Sequence, residues 1–178
     1  LNKILKTTYS PKSFNNKYGV PLSILNIKQS DKFGVLEVGM DKKGEIDYLT
    51  KIIKPDLGII TNISYAHSKN FSNIKGIANA KAEIISNIKP RGTIILNGDD
   101  DFFYYHKKIG LNKNLSVLSF GINNQFLSTK LIKVKKKKNK FHLLIKVGNS
   151  NYVFYSNNNN KSNIYNILAT LTVINLFC

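Results

Sequence analysis

Two short segments carry reactive side chains at positions where a purely structural protein would gain little from them. Residues 61–67 (TNISYAH) end a predicted buried strand, and His67 follows that strand closely. Residues 80–84 (AKAEI) lie on the next predicted helix, where Lys81 is seven residues, about two turns, after Ile74 on the apolar side. An imidazole beyond a strand and a lysine on an apolar helix side together indicate a site for a metal ion and a phosphate.

A third candidate is Glu37, which lies in the apolar run 35–38 (VLEV) that predicts a buried strand. A buried carboxylate is costly unless it is paired or binds a cation. One interpretation is a salt bridge to one of the many lysines. The other is a ligand for a hard cation such as Mg²⁺, which prefers oxygen ligands. A loop histidine alone is weak support, but His67 lies one strand further along and strengthens the metal interpretation.

Lys81 also has two interpretations. It lies along the stripe formed by the isoleucines of the helix predicted over 74–88. Its side chain could simply extend to solvent at the helix margin. Alternatively, a partly desolvated amine has a lowered pKa, and a neutral amine can add CO₂ to become a carbamate that acts as a carboxylate.

The elements that must position these residues alternate between short apolar strands and helices. This pattern predicts an α/β fold with a mostly parallel sheet flanked by helices, and after Gly121 a small appended antiparallel sheet. Ligands bind beyond the carboxyl ends of such strands, so Glu37, Asn62, His67 and the triplet Asp99–Asp101 are expected at one edge. The triplet could bind metal or ribose, or cap a helix. The predicted strands are 33–38, 57–63, 93–97, 115–120, 130–138, 141–147 and 152–155, and helices are predicted from 19 and over 44–53, 74–88, 99–109 and 162–177.

The composition is strongly basic, with 27 Lys and Arg against 10 Asp and Glu and a formal net charge of +17. Such a charge raises the possibility of nucleic-acid binding. However, the excess is almost all lysine, as in AT-rich coding sequences, and aromatic residues are not interleaved with the lysines along the chain. The run Lys133–Lys138 is therefore interpreted as a solvated strand and turn. No nucleic-acid partner is expected, and a basic nucleic-acid-binding domain remains the alternative from another class.

The single cysteine, Cys178, excludes an intrachain disulfide and fits a reducing cytosol. The apolar run 164–177 is too short to cross a bilayer and is interrupted by Asn166 and Asn175. We expect a cytoplasmic monomer without membrane insertion. Because the chain begins at Leu1 and ends within a helix pattern, we also expect a fragment.

Four segments, taken in order, resemble motifs of the Mur ligase family. Any one of them is weak, whereas the ordered set is specific and covers most of the first hundred residues. The matching segments are 14–22 (N-N-x-x-G-x-P), 36–46 (E-x-G-x…G-E-I), 61–84 (N-I-x-x-A-H…A-K-x-E-I) and 95–100 (L-N-x-D-D). The resemblance implies a single P-loop NTPase-like central domain over 1–178, truncated at both ends. The P-loop would lie just before Leu1, and the N- and C-terminal domains outside the chain.

The resemblance implies an ATP-dependent amide ligase of peptidoglycan precursor synthesis that uses Mg²⁺. Within the family, the context of His67 and Phe71 favours a member whose substrates are a UDP-muramoyl-tripeptide and D-alanyl-D-alanine. Glu37 and His67 would hold Mg²⁺, and Lys81, once carbamylated, would place a second Mg²⁺. These three residues are the implied catalytic set.

The resemblance also implies two pairs of binding residues. Asn15 and Asn16 would lie on the muramoyl-peptide side. Asn163 and Asn166 would lie near the adenine of ATP, although Ser162 replaces the histidine that the family has there. The fragment alone is expected to be inactive. Besides the nucleic-acid-binding domain, three alternatives remain: a sibling Mur ligase, a folylpolyglutamate synthase-like ligase, or a remnant without a catalytic role.

Overall fold

The computed structural model describes residues 5–65 and 70–177. These residues form two compact units, which we term the first unit (Leu1–Asp56 with Ser64–Lys89) and the second unit (Leu57–Ile63 with Pro90–Cys178). In chain order the elements are β1 (Thr7–Tyr9), α1 (Gly19–Leu25), β2 (Phe33–Val35), α2 (Glu45–Ile53), β3 (Leu57–Ile60), α3 (Ile74–Asn87), β4 (Thr93–Asn97), α4 (Phe103–Asn112), β5 (Ser116–Gly121), β6 (Thr129–Lys137), β7 (Lys140–Val147), β8 (Ser150–Ser156) and α5 (Lys161–Ile174).

The first unit contains a small parallel sheet, in which β1 pairs with β2 and Thr7 lies opposite Phe33. The sequence did not predict β1, because the segment around it is polar and rich in turn residues. β2 is also shorter than predicted and ends at Val35. Glu37 therefore lies beyond the strand and is exposed. The prediction of a carboxylate inside a buried strand is wrong, because side-chain and backbone contacts from residues 10–15 replace the ladder after Val35.

Helices α2 and α3 pack against each other and supply most of the apolar core of the first unit. α3 begins where the side chain of Asn73 accepts a hydrogen bond from the Gly76 amide, which satisfies one of the free N–H groups of the first turn. The most deeply buried apolar residues of the two helices are Leu49, Ile77, Ala78, Ala80 and Ile85.

The second unit is built on one six-stranded sheet with the order β3-β4-β5-β6-β7-β8. The pairs from β3 to β6 are parallel, and those from β6 to β8 are antiparallel. The predicted antiparallel strands thus continue the main sheet, joined where Phe120 of β5 lies opposite Thr129 of β6. The α/β class with parallel strands, helices and an antiparallel extension is confirmed.

Helices cover the sheet of the second unit at two places. α5 packs on the middle of the sheet, where Leu168 is fully buried against a core that includes Phe120, Leu143 and Ile145. α4 packs against β4 and β5 so closely that a Cβ on Gly110 would lie 2.9 Å from a methyl carbon of Ile94. In the part of the chain that the structure describes, no helix is long and apolar enough to cross a membrane.

Candidate functional site

The carboxylate of Glu37 is held by the segment that precedes α1. The side-chain amide of Asn15 donates a hydrogen bond to Oε1 of Glu37 over 2.9 Å. The backbone N–H of Glu37 donates to Oγ of Ser10 over 3.1 Å, and the N–H of Gly39 donates to the carbonyl of Asn15 over 2.7 Å. These contacts fix the position of Glu37 while its side chain remains exposed.

Gly39 allows this arrangement because it has no side chain. A Cβ at position 39 would lie 3.0 Å from both Cγ and Nδ2 of Asn15, closer than most carbon contacts in proteins. The glycine of the E-x-G segment is therefore explained by the close approach of the Asn15 amide to residues 37–39.

Asn16 has a different local role. Its Oδ1 accepts hydrogen bonds from the N–H groups of Tyr18 and Gly19, each over 3.0 Å. It thereby satisfies donors at the start of α1, which short polar side chains do well. The predicted contacts of Asn15 and Asn16 with a muramoyl-peptide stay predictions.

The loop between Glu37 and α2 is closed by a second glutamate. Oε2 of Glu45 accepts hydrogen bonds from the N–H groups of Asp41 (2.6 Å) and Lys42 (3.1 Å). These two backbone donors hold the pKa of Glu45 below its usual range. Gly44 adopts a φ of 89°, which favours glycine, and this lets the chain turn into α2.

The carboxylate of Glu83 links α3 to the beginning of α2. Its Oε1 accepts from the Gly44 N–H (2.8 Å) and its Oε2 from the Asp47 N–H (3.0 Å). These N–H groups have no acceptor within α2, and a negative charge at a helix N-terminus is stabilising. One turn later, the amide of Asn87 donates to Oγ1 of Thr50 over 2.9 Å. The two helices are thus fixed by polar contacts as well as by apolar packing.

Lys81 lies on α3 two residues before Glu83 and is half-buried. The fully buried positions of this helix are alanines and isoleucines such as Ile77 and Ile85, so Lys81 lies at the margin of the apolar stripe. This exposure is compatible with both interpretations made from the sequence, a lysine extending to solvent and a partly desolvated amine. Its predicted carbamylation stays a prediction.

The predicted metal site can be compared with the donor atoms that the fold provides. His67 lies outside the described residues. Within residues 5–65 and 70–177, no three acidic, histidine or cysteine side chains form a group that could hold a metal ion. A protein-only cage is not what Mg²⁺ requires, because it usually keeps several waters and binds one or two carboxylates plus substrate phosphates. The exposed oxygens of Glu37 fit such a site.

In the second unit, Asp99 is a structural anchor rather than an open ligand. Its oxygens accept hydrogen bonds from the N–H groups of Ile122 (2.5 Å), Asn123 (3.0 Å) and Asn124 (3.1 Å) and from the hydroxyl of Tyr165 (2.7 Å). Burial raises the pKa of Asp99, but the donated hydrogen bonds outweigh it and hold the pKa below its usual range. The pKa of Tyr165 is raised, mainly by burial and to a lesser extent by its hydrogen bond to Asp99 and by the negative charge of Asp99.

The other members of the acidic triplet differ from Asp99. Oδ2 of Asp100 accepts from the Ile63 N–H over 2.7 Å, and its Oδ1 accepts from the Phe102 N–H over 2.9 Å. Asp100 thereby connects the chain after β3 to the start of α4, while Asp101 is exposed. Of the alternatives stated for the triplet, these contacts favour a structural role for Asp99 and Asp100.

The two asparagines predicted near adenine lie on α5. The amide of Asn163 donates to Oγ of Ser156 over 3.0 Å, and the Asn163 N–H is capped by the side chain of Asn160. Asn166 is exposed. Their predicted contact with a nucleotide stays a prediction.

Sequence reasoning missed three residues with defined roles around these sites: Ser10, Glu83 and Tyr165. Glu83 lies inside the 80–84 motif, but nothing in its spacing indicates that it reaches across to another helix. Tyr165 lies 66 positions from its acceptor, so only the folded chain brings the pair together.

Comparison with known proteins gives a consistent result. The family model "Mur ligase middle domain" matches residues 1–174. A UDP-N-acetylmuramoyl-tripeptide–D-alanyl-D-alanine ligase of Buchnera aphidicola subsp. Acyrthosiphon pisum is 42% identical over 113 residues, 64% of this chain and 24% of that protein. The chain thus spans about a quarter of the length of this relative.

Two solved structures share the fold closely. A crystal structure of MurF from Acinetobacter baumannii superposes with a TM-score of 0.89 at 25% identity, covering 100% of this chain and 38% of that one. MurF from Thermotoga maritima in complex with ADP superposes with a TM-score of 0.86 at 26% identity, covering 99% of this chain and 40% of that one.

Proposed function

Because the chain belongs to the Mur ligase family and corresponds to its middle domain, we propose that it is the ATP-handling part of a D-alanyl-D-alanine-adding ligase. The substrates would be ATP, a UDP-N-acetylmuramoyl-tripeptide and D-alanyl-D-alanine, as in the name of the relative from Buchnera. The similar protein from Thermotoga was solved in complex with ADP, which supports the nucleotide. The proposed setting is the synthesis of peptidoglycan precursors.

The proposed reaction has two steps. The tripeptide carboxylate attacks the γ-phosphorus of ATP, ADP leaves, and an acyl phosphate forms. The amine of D-alanyl-D-alanine then attacks the acyl carbon, inorganic phosphate leaves, and the amine loses a proton. Positioning and charge compensation dominate catalysis of phosphoryl transfer, so the residues around the phosphates are the important ones.

The observation that carries the proposal is the fixed and exposed carboxylate of Glu37. We assign Glu37 and His67 to hold Mg²⁺, which would offset the negative charge of the transferring phosphoryl group. Glu37 is exposed for this purpose, its backbone N–H donates to Oγ of Ser10, and the N–H of Gly39, two residues on, donates to the Asn15 carbonyl.

We assign Lys81 as the residue that becomes carbamylated. The neutral amine would attack CO₂, forming an N–C bond and releasing one proton, and the resulting carbamate would supply a second anionic oxygen ligand. The half-buried position of Lys81 on α3 is compatible with this assignment. Asn163 and Asn166 are assigned to the adenine side, and Asn15 and Asn16 to the muramoyl-peptide side.

The proposal is tested with the full-length protein that contains this chain. We expect phosphate release that requires ATP, Mg²⁺, the UDP-muramoyl-tripeptide and D-alanyl-D-alanine together. Parallel assays distinguish the alternatives: a UDP-muramoyl-dipeptide with diaminopimelate or lysine tests the sibling ligases, and a folate with glutamate tests the folylpolyglutamate synthases. The proposed substrates would be overturned by turnover with one of these other amines and not with D-alanyl-D-alanine. They would also be overturned by the absence of turnover with every amine tested.

A second candidate function, binding of single-stranded nucleic acid, is favoured by one observation. The sheet register places Lys135 opposite His142, and His142 opposite Tyr155. The His142 and Tyr155 rings are in edge contact with centroids 4.7 Å apart, and a cleft of about 580 Å³ lies beside them at the lysine-rich β6–β7 turn. Lysines beside aromatic rings are typical of such surfaces, although the linear sequence lacks this interleaving.

The test is titration of labelled oligo(dT) and oligo(rU) with this chain at several salt concentrations. The candidate requires a steep dependence of the affinity on salt and its loss in the variant H142A/Y155A. Equal, weak binding by both proteins would remove this candidate and leave the ligase proposal unaffected.

A further inference from the structure

The carboxylate of Glu37 has an unusual neighbour for a chain with so many lysines. Its hydrogen-bond donor is the neutral amide of Asn15, not an ammonium group. We propose that Asn15 is a positioning residue for Glu37, and that Gly39 is the residue that permits its approach. This inference rests on the proposed function, because it concerns the carboxylate assigned to Mg²⁺.

A neutral donor suits a cation ligand for an electrostatic reason. A lysine or arginine at position 15 would neutralise Glu37 and repel a divalent cation. An amide N–H instead orients the carboxylate without adding a positive charge. The metal ligands of proteins commonly depend on such supporting hydrogen bonds, whose removal weakens metal binding.

The two carboxylate oxygens of Glu37 also differ in their contacts. Oε1 accepts the hydrogen bond from Asn15 over 2.9 Å. Oε2 accepts no hydrogen bond from any residue in the described ranges 5–65 and 70–177. Asn15 therefore holds one oxygen and leaves the other to coordinate a cation, which predicts coordination through Oε2.

Asn15 is itself fixed by its main chain. Its carbonyl accepts the Gly39 N–H over 2.7 Å, so both its backbone and its side chain bind the segment 37–39. Truncation of the side chain leaves the backbone hydrogen bond in place. The variant N15A is thus expected to fold and to change mainly the orientation of Glu37.

Gly39 supplies an independent way to disturb the same contact. A Cβ there would lie 3.0 Å from Cγ and Nδ2 of Asn15 and 3.2 Å from its Oδ1, and these are the three atoms nearest to it. Gly39 does not adopt a positive φ, so alanine is compatible with the backbone. G39A should therefore displace the Asn15 amide, whereas N15A removes the three atoms that the added methyl group would approach most closely.

The experiment is a double-mutant cycle in the full-length protein that contains this chain, with Mn²⁺ as the probe and the free ion measured by electron paramagnetic resonance. Mn²⁺ is divalent and prefers oxygen ligands as Mg²⁺ does. The proteins are the parent, N15A, G39A and N15A/G39A, with E37Q as the reference for loss of the ligand. N73A, which removes the cap of α3, is the matched asparagine control for a purely structural loss.

We expect N15A and G39A each to weaken Mn²⁺ binding about tenfold, the lower end of the usual effect of a supporting residue. The double variant should be no weaker than N15A, because both substitutions act through one contact. N73A should lower the unfolding midpoint without changing the affinity for Mn²⁺. This set of results would support the inference.

Two other results have different meanings. If E37Q weakens Mn²⁺ binding but N15A and G39A do not, Glu37 is a ligand and the positioning role of Asn15 is overturned. If E37Q has no effect on Mn²⁺ binding, the assignment of Glu37 to the metal is overturned, and the role of Asn15 falls with it.

Discussion

Glu37 in the first unit and Asp99 in the second unit are both carboxylates that follow a strand, yet the structure uses them in opposite ways. Asp99 accepts four hydrogen bonds, three from backbone N–H groups and one from Tyr165. Glu37 accepts one, from Asn15, and is exposed. The number of donors around a carboxylate, rather than its place at a strand end, separates an anchor from a candidate ligand.

The two units also differ in how they distribute charge. The last acidic residue of the sequence is Asp101, so β6, β7 and β8 carry lysines without any carboxylate of their own. The acidic residues of the first unit are Asp31, Glu37, Asp41, Glu45, Asp47, Asp56 and Glu83. Among the first unit's carboxylates, Glu45 and Glu83 organise the loop and helix next to Glu37.

The largest expected effect is on activity, where substitution of Glu37 and substitution of Asp99 should have different consequences. In the full-length ligase, E37Q should lower kcat by about a hundredfold or more, as loss of a group that compensates transition-state charge does. Its unfolding midpoint should stay close to that of the parent, since Glu37 is exposed. D99N, assayed well below its unfolding midpoint, should keep most of its kcat. Equal losses of kcat in the two variants would contradict this distinction.

The second effect is on stability, which should depend on Asp99 and not on Glu37. D99N should lower the unfolding midpoint of this chain by about 5 °C at pH 7, because three backbone N–H groups and the Tyr165 hydroxyl lose an anionic acceptor. The pKa of Asp99 is depressed in the folded state, so its contribution is present above the unfolded value of about 3.9 and is lost as the pH falls through the folded value. Thermal melts from pH 7 to pH 3 should therefore show the difference from the parent narrowing below about pH 4. A constant difference would contradict it.

A smaller effect concerns the link between α2 and α3. E83Q should destabilise the chain by about 1 kcal/mol, because a neutral amide can accept at only one of the two N–H groups and loses the favourable charge at the helix N-terminus. Hydrogen exchange measured by NMR should accelerate at Gly44 and Asp47 first. Unchanged exchange at both amides would show that Glu83 does not cap α2 in solution. D31N, another acid-to-amide change in the first unit, is the control for these two amides.

The smallest effect concerns the lysine-rich strands. Lys137 and Lys140 lie directly opposite each other across β6 and β7. Like charges in such pairs are destabilising, so K137E should stabilise the chain by about 0.2–1 kcal/mol. The gain should shrink in 1 M salt, which screens the new pair. Chemical denaturation by urea, which adds no ionic strength, measures it, and a gain independent of salt would contradict the explanation.

The agreement between sequence and structure is best where a pattern is local. The bounds of β4 agree with the prediction, and α3 ends one residue before the predicted end. These elements have strong apolar periodicity and clear boundaries at Pro90 and Gly92. β1 was missed because three residues with polar neighbours carry no periodic signal, and they form a strand only by pairing with β2.

The sequence alone determined the α/β class, the order of the elements after β1 and the motifs that identify the family, because apolar spacing and motif residues are properties of neighbouring positions. It also identified Glu37 as a candidate ligand, although for a wrong reason, burial in a strand. Only the tertiary structure decided that Asn15 donates to Glu37, that Glu83 caps another helix, and that Asp99 accepts hydrogen bonds from four donors. Each of these contacts joins residues more than twenty positions apart, and hydrogen-bond geometry between such residues exists only once the chain has folded.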